Sequence, residues 1–394
     1  MIGISKLYCG TVESSDPLRY GRKSDKLPSH LLQFAKDKKP VVVWNVTKSC
    51  NLKCRHCYSH STREKGKAEL TFEQGTTLID DLKQFGSPVI LFSGGEPLMR
   101  EDILDLIKYA VNKGLRAVIS TNGTLLSEET VKQLAGMKLS YVGISLDGLM
   151  ETNDSFRGVK GSFNKALNGI RNCLANNLKV GIRFTINKIN HTEIPGIFKI
   201  LETENIPRIC FYHLVYTGRG NRLMQDALTH EQTRAAVDNI LALTKDLYNR
   251  GMKKEVLTVD NHCDGPYLYL KMVKENNPRR DDVYKLLQYN QGNSSGVGIG
   301  CISWDGEVYA DQFWRHYSFG NIRQRPFSEI WTDTSEPLMH KLKDKKKYVK
   351  GRCAACQWLN VCGGNFRVRA EAMTGDLWAP DPACYLNDTE IGIQ

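Results

Sequence analysis

Short apolar runs alternate with longer amphipathic stretches from residue 41 onward. The runs are rich in β-branched and aromatic residues, and a continuous apolar run of this length predicts a strand that is buried on both faces. Between the runs, apolar residues recur every three or four positions, which predicts helices that bury one face. The six predicted strands lie at residues 41–46, 88–92, 115–119, 141–144, 179–186 and 208–213.

Six consecutive strand–helix units predict an α/β fold with a parallel sheet and right-handed crossovers. Because eight such units close a full barrel, six predict a partial (βα)6 TIM-type barrel with its chemistry at the carboxyl ends of the strands. We assign this barrel to residues 41–250 and expect residues 1–40 to form an N-terminal arm. A connecting segment at 251–295, expected to contact substrate, leads to a small C-terminal domain at 296–394.

Composition and charge restrict the class of protein and the kinds of molecule it can be expected to bind. The 394 residues are 25% charged and 41% hydrophobic, which excludes a disordered or collagen-like chain. Lys and Arg exceed Asp and Glu by 11, so we expect an anionic partner. No nucleic-acid-binding motif and no membrane-length apolar run is present, so neither a nucleic acid nor a membrane is expected. The start of the chain lacks the pattern of a secretory signal, which favours a cytoplasmic location.

Twelve cysteines are the most informative feature of the composition. In a chain without an export signal, cysteines favour metal binding or redox chemistry over disulfides. Seven of them form two groups, Cys50, Cys54 and Cys57 near the start and Cys353, Cys356, Cys362 and Cys384 near the end.

The first group lies on the loop that follows the first predicted strand. Three thiolates in one loop favour a [4Fe–4S] cluster with one open iron, which can bind a cofactor or a substrate. A structural zinc ion is the alternative, but it needs a fourth ligand, for which the loop offers only His56 and His60.

The spacing Cys-x3-Cys-x2-Cys at this place resembles the signature of the radical S-adenosylmethionine (SAM) enzymes, with His56 at a position that is usually aromatic. The loops after the second, third and fourth strands resemble further motifs of that family. The resemblance implies a [4Fe–4S] cluster on the first three cysteines and SAM bound to its open iron. It implies SAM-binding roles for Gly94, Gly95, Glu96, Asn122 and Ser145. Arg157 and Arg183 are candidates for binding the SAM carboxylate or a substrate acid, and we assign Arg183 to the SAM site.

The second group resembles the core of the SPASM and twitch domains, which carry auxiliary clusters behind radical SAM barrels. Cys353, Cys356 and Cys362 have the spacing Cys-x2-Cys-x5-Cys, and Cys384 stands where the family has the last ligand of the outer cluster. The resemblance implies one fully ligated [4Fe–4S] cluster here, and therefore two such clusters in the whole chain.

A second auxiliary cluster is not expected. Its first ligand would be Cys301, but Asp311 and Phe366 occupy positions where that cluster has cysteine. Cys301 is an alternative ligand of the one auxiliary cluster. The other four cysteines are predicted to be core or loop thiols, namely Cys9, Cys173, Cys210 and Cys263.

Four segments resemble the tetrapyrrole-modifying branch of the family, at residues 16–21, 211–220, 260–267 and 314–320. The resemblance implies an iron tetrapyrrole substrate that loses two acetate side chains. Synthesis of the haem d1 precursor and modification of a peptide are alternatives within the family, whereas a non-catalytic iron–sulfur electron carrier is an alternative outside it.

Such a substrate calls for cations, aromatic faces and an iron ligand. His213, His262 and His316 are candidate ligands of the substrate iron. The cluster chemistry also implies a small electron donor, such as a ferredoxin or a flavodoxin.

Overall fold

A computed structural model describes residues 1–13, 15–16 and 39–393. Most of the predicted N-terminal arm, including residues 17–21 of the first tetrapyrrole-type segment, lies outside the described residues. In the described part of the chain, no helix combines the length and apolar character needed to cross a membrane.

The described strands form one mixed sheet of ten strands, in the order β1-β8-β7-β6-β5-β4-β3-β2-β9-β10. Their bounds are Ile2–Gly3 (β1), Val41–Asn45 (β2), Val89–Ser93 (β3), Arg116–Thr121 (β4), Tyr141–Ser145 (β5), Val180–Ile186 (β6), Arg208–His213 (β7), Glu255–Val259 (β8), Ile299–Ile302 (β9) and Val308–Tyr309 (β10). Strands β2 to β8 are parallel in sequence order, and β9 adds in parallel to β2 at the other side. The two outermost strands, β1 and β10, pair antiparallel to their neighbours.

Helices connect the strands and build most of the C-terminal region. Their bounds are Phe72–Phe85 (α1), Ile103–Asn112 (α2), Glu128–Gly136 (α3), Met150–Arg157 (α4), Ser162–Ala175 (α5), Ile194–Thr203 (α6), His230–Asn249 (α7), Asp264–Lys274 (α8), Arg280–Asn290 (α9), Phe327–Thr332 (α10), Pro337–Lys343 (α11), Gly351–Ala354 (α12), Leu359–Cys362 (α13), Arg367–Thr374 (α14) and Asp388–Ile391 (α15). Tight helical turns of 3-10 or π type lie at Ser5–Cys9, Pro97–Met99, His191–Glu193, Gly218–Asp226 and Lys345–Lys347.

The pairing confirms the predicted parallel sheet, and all six predicted strands are present. Strand β2 illustrates why such runs are apolar throughout. Its Val42 and Trp44 pack into the main core, whereas Val43 packs with Cys301 and Tyr309 in a separate buried cluster. Side chains alternate between the two faces of a strand, so burial of both faces requires an apolar residue at every position.

The sheet extends beyond the six predicted strands. Glu255–Val259 lies in the segment where the pattern predicted no strand, yet it pairs in parallel with β7 as β8. Ile299–Ile302, in the C-terminal region, pairs in parallel with β2 as β9. The parallel part of the sheet therefore has one more strand on each side than the sequence pattern predicted.

A buried ion pair joins the C-terminal region to the strand ends. Arg369 of α14 is fully buried and donates two hydrogen bonds to Asp381, at 2.9 and 2.8 Å. The same guanidinium donates to the backbone carbonyls of Leu214 and Asp260, which follow β7 and β8, at 3.1 and 2.9 Å. One side chain thus ties the C-terminal region to the carboxyl ends of two barrel strands.

We expect Arg369→Ala to destabilise the fold by about 3–5 kcal/mol, because Asp381 is left buried and uncompensated. The measurement is anaerobic urea unfolding followed by circular dichroism. Arg250→Ala is the matched control, because Arg250 pairs with Glu202 and Asp246 at the surface and should change the midpoint little. Equal shifts of the two midpoints would contradict the role assigned to Arg369.

Candidate active site

The first cysteine group lies in a cavity at the carboxyl ends of the strands. Cys50 and Cys54 are buried and Cys57 is half-buried, and all three line the same cavity. The remaining wall comes from β2, from the ends of β3 to β8, including Asp260, from Arg157 of α4 and from residues 312–313 of the C-terminal region. A loop with three thiols therefore faces one cavity, in which a predicted cluster with an open iron has room for a cofactor.

Two adjacent glycines allow this cysteine loop to pack closely on the loop after β3. The Gly95 amide donates to the Thr47 carbonyl at 2.8 Å, and the Glu96 amide donates to the Ser49 carbonyl at 2.7 Å. A Cβ atom on Gly95 would lie 2.0 Å from the Ser49 carbonyl oxygen, and Gly94 has a φ of +132°. Larger residues would push the cysteine loop away, so the glycines position the predicted cluster ligands.

Glu96 is the predicted site residue whose position differs most from expectation. Its carboxylate is fully buried and accepts hydrogen bonds from the Thr121 hydroxyl at 2.6 Å, the Asn122 amide at 2.7 Å and the Leu98 amide at 3.2 Å. Burial raises the pKa of Glu96, although these bonds favour the ionised form. In the structure Glu96 orients the loop that carries Asn122, and a direct contact of Glu96 with SAM stays a prediction.

Asn122, Ser145 and Arg183 do line the cavity. The Asn122 amide donates to the side-chain oxygen of Asn51 at 2.7 Å, which ties the loop after β4 to the cysteine loop. The Arg183 guanidinium lies 4.7 Å from the centre of the Tyr212 ring. Among the described residues no carboxylate is paired with Arg183, so its charge is available to a bound anion.

Arg157 has a different environment. It forms an ion pair with Asp147, and its Nη1 donates to the Cys54 sulfur at 3.5 Å. Burial raises the pKa of Cys54, while the charge of Arg157 acts in the opposite direction. A cation held against a thiol stabilises the thiolate form, so Arg157 supports Cys54 in its predicted role as a cluster ligand.

The other two thiols of the group differ in how easily they ionise. Burial raises the pKa of Cys50 to about 12. Burial also acts to raise the pKa of Cys57, but contacts with the Ser59 and Ser61 hydroxyls, at 3.3 and 3.2 Å, outweigh it and leave that pKa below its ordinary value. These hydroxyl contacts therefore favour the thiolate form of Cys57.

His56 stands at the position of the cysteine motif that is usually aromatic, and its ring packs as an aromatic ring would. It stacks on Phe156 with ring centres 4.7 Å apart, and burial lowers its pKa to about 4. Within the described residues, no three His, Cys, Asp or Glu side chains are grouped as ligands of a single metal ion would be. In a [4Fe–4S] cluster each thiolate binds a different iron, so the sulfurs are held farther apart.

The second cysteine group lines a separate cavity. Cys353, Cys356, Cys362 and Cys384 are brought together there, and Cys263 joins them as a fifth thiol. A hydrogen bond from Cys263 lowers the pKa of Cys384, although burial acts against it. No sequence pattern links Cys263 to this group, since it lies about ninety residues before Cys353, its nearest partner along the chain.

Three positions considered for a second auxiliary cluster lie outside the cavity of the second cysteine group, namely Cys301, Asp311 and Phe366. Cys301 is buried beside β2, where the Asn45 amide donates to its sulfur at 3.4 Å. Asp311 accepts hydrogen bonds from the Phe313 and Trp314 amides at 2.8 and 3.1 Å, and so shapes a turn. Phe366 stacks on His262. A ligand role for Cys301 has no support from this placement, because the cavity wall contains Cys263 instead.

Comparison with family models and curated proteins identifies the class. The model of the radical SAM superfamily matches residues 44–201, and that of the SPASM iron–sulfur cluster-binding domain matches residues 298–357. The chain belongs to the radical SAM superfamily, and its cofactors are SAM and iron–sulfur clusters.

The most informative relatives carry names from tetrapyrrole metabolism. The chain is 65% identical to the Fe-coproporphyrin III synthase of Methanosarcina barkeri, over 100% of this chain and 99% of the relative. It is 41% identical to the pre-heme d1 synthase of Dinoroseobacter shibae, over 90% of this chain and 88% of the relative. An AdoMet-dependent heme synthase of Methanosarcina barkeri is 31% identical, over 87% and 95%.

Solved structures agree on the fold. Streptococcus suis SuiB bound to the precursor peptide SuiA superposes with a TM-score of 0.72 at 19% identity, covering 91% of this chain and 79% of SuiB. Native anSMEcpe with bound AdoMet and a peptide superposes with a TM-score of 0.67 at 18% identity, covering 88% and 94%. At such identities the likeness concerns the fold alone.

We expect Cys54→Ala to abolish formation of 5′-deoxyadenosine from SAM, because the open-iron cluster loses a ligand and a thiolate that Arg157 supports. The iron content should fall by about four per chain, the content of one [4Fe–4S] cluster. The measurements are iron analysis after anaerobic reconstitution and chromatography of the SAM products. Cys173→Ala, at a buried core thiol, is the control and should retain both properties. Unimpaired SAM cleavage by Cys54→Ala would contradict the assignment.

Reconstituted wild-type protein should contain about eight irons per chain, in two [4Fe–4S] clusters. Cys384→Ala should lose or destabilise only the C-terminal cluster, whereas Cys301→Ala should keep all eight, because Cys301 lies outside that cavity wall. Iron analysis and electron paramagnetic resonance (EPR) of the reduced variants test this. About twelve irons in the wild type would require a second auxiliary cluster, and iron loss in Cys301→Ala would refute the ligand set.

Proposed function

We propose that the chain removes two acetate side chains from the iron tetrapyrrole 12,18-didecarboxysiroheme and forms iron coproporphyrin III. The observation that carries this proposal is the end-to-end identity of 65% with a protein named Fe-coproporphyrin III synthase. When bound, SAM and the reduced cluster supply the one-electron chemistry that abstracts a hydrogen atom from an unactivated carbon.

The cavity supports a flat, anionic substrate. Arg183, which is paired with no carboxylate among the described residues, provides a cation for a substrate carboxylate in place of the SAM contact expected from the sequence. The Tyr212 ring packs against this guanidinium. Phe313 reaches in from the C-terminal region and packs edge-on against Tyr58 at 5.5 Å, which offers aromatic surface to a macrocycle. The excess of 11 positive charges adds a long-range attraction for a polyanion.

The proposed reaction balances for each acetate as follows. One hydrogen atom leaves the substrate, the carbon–carbon bond to the acetate breaks, and a ring double bond forms. The departing fragment takes up one electron and one proton and leaves as acetate. Each round consumes one SAM and two electrons, one of them for SAM cleavage, so two acetates require two SAM molecules. We propose a small ferredoxin or flavodoxin as the donor of these electrons.

The test is anaerobic turnover of 12,18-didecarboxysiroheme by the reduced, iron-loaded protein. We expect iron coproporphyrin III, identified by mass, and a ratio of 5′-deoxyadenosine to product near two, because each acetate consumes one SAM. Cys54→Ala serves as the inactive control and should give neither compound.

Other outcomes would redirect the proposal. A product mass that shows loss of other side chains would favour synthesis of the haem d1 precursor, the activity named for the relative that is 41% identical. Rapid SAM cleavage with an unchanged tetrapyrrole would refute the tetrapyrrole substrate and favour a peptide.

A further inference from the structure

The structure separates the three histidines that were candidates for binding the substrate iron. His316 is 57% exposed and pairs with Glu371 at 2.9 Å. His262 is buried against Phe366, and its backbone amide donates to Asn365 at 2.8 Å. His213, the last residue of β7, lines the cavity that also holds the first cysteine group. Only His213 is therefore placed beside the site where the substrate is expected to react.

A buried carboxylate fixes the His213 ring. Nε2 of His213 lies 2.9 Å from Oδ2 of Asp264, which is fully buried at the start of α8. The other oxygen of Asp264 accepts a hydrogen bond from the Tyr385 hydroxyl at 2.7 Å. Because both oxygens of Asp264 are engaged, the carboxylate is held in place and accepts the Nε2–H proton. The lone pair is then on Nδ1 of His213.

This arrangement is that of a metal-binding histidine. Histidines that bind metals usually donate their other ring N–H to a carboxylate, which fixes the tautomer and makes the binding nitrogen more basic. Histidine is also a common axial ligand of tetrapyrrole iron. A histidine kept only for packing would not need a buried carboxylate that is itself positioned by a tyrosine.

We infer that His213 binds the iron of the tetrapyrrole through Nδ1, with Asp264 and Tyr385 as positioning residues. The inference rests on the proposed function, because it requires an iron tetrapyrrole in this cavity. Iron ligation would place the macrocycle at the end of β7, and Arg183 of β6, the neighbouring strand, could then bind one of its carboxylates.

The test uses iron(III) coproporphyrin III and metal-free coproporphyrin III as probes with the cluster-loaded protein in its oxidised state. The oxidised clusters are EPR-silent, so the ferric signal reports the iron ligand directly. We expect the wild type to give the spectrum of a histidine-bound iron. His213→Gln should lose that spectrum and bind the iron probe more weakly, but should bind the metal-free probe as the wild type does.

Further variants separate ligation from a structural effect. His213→Ala should regain a nitrogen-bound spectrum when imidazole is added, because imidazole can occupy the vacated space. Asp264→Asn should keep the ligand but weaken binding of the iron probe by about tenfold or more, because the ring nitrogen becomes less basic. His316→Ala, at the exposed histidine, is the control and should match the wild type.

The failures of the two proposals are distinguishable. If the wild type binds the iron probe and its spectrum survives in His213→Gln, the ligand assignment is overturned while a tetrapyrrole substrate stands. If His213→Gln loses affinity for both probes equally, the residue shapes the pocket and does not bind iron, which also overturns the inference. If the wild type binds neither probe and leaves didecarboxysiroheme unchanged, the proposed function itself fails.

Discussion

The contact of Arg369 with the carboxyl ends of β7 and β8 is the constraint on which both cavities depend. Arg369 binds the carbonyls of Leu214 and Asp260, and the carboxylate of its partner Asp381 accepts a hydrogen bond at 2.9 Å from the amide of Ala383, the residue before Cys384. The same pair of side chains thus positions the wall of the first cavity and the segment that leads into Cys384, a predicted ligand of the auxiliary cluster. Because desolvation offsets most of the attraction in a buried ion pair, we infer that this pair contributes geometry more than net stability.

The first cavity also depends on close contacts between the cysteine loop and the loop after β3, where a side chain at Gly95 would not fit. The cysteine loop is held by amides of Gly95 and Glu96, and the loop after β4 is held by the carboxylate of Glu96. Three consecutive strand ends are therefore joined through one loop. The main-chain bonds of Gly95 and Glu96 fix the cysteine loop more tightly than long side chains would, since fewer rotatable bonds separate the two partners, and the Glu96 side chain is itself held by three donors. Such rigidity suits a site that must hold a reactive species against one substrate carbon.

Sequence patterns could predict what depends on local periodicity and on spacing within one loop. The six strands and the grouping of Cys50, Cys54 and Cys57 are of this kind. Strand β8 was not predicted because its apolar run is short, interrupted by Thr258 and preceded by the charged residues 253–255. The position of Cys263 beside the second cysteine group could not be predicted, because the other thiols lie far along the chain and only folding brings them together. The hydrogen bonding of the Glu96 carboxylate could not be predicted for a similar reason, since its partners Thr121 and Asn122 lie at the end of the next strand.

The two cavities are joined by a short hydrogen-bonded path. It runs from His213 through Asp264 to Tyr385, which is the neighbour of Cys384 in the sequence, while Asp264 is the neighbour of Cys263. In the proposed reaction, each acetate that leaves needs one electron beyond the one that cleaves SAM. An auxiliary cluster held by Cys384 would sit at one end of this path, and the reacting macrocycle at the other. Under the proposed function, this path gives the position of the C-terminal domain over the strand ends a chemical reason, because it brings an electron-transfer cluster close to the substrate.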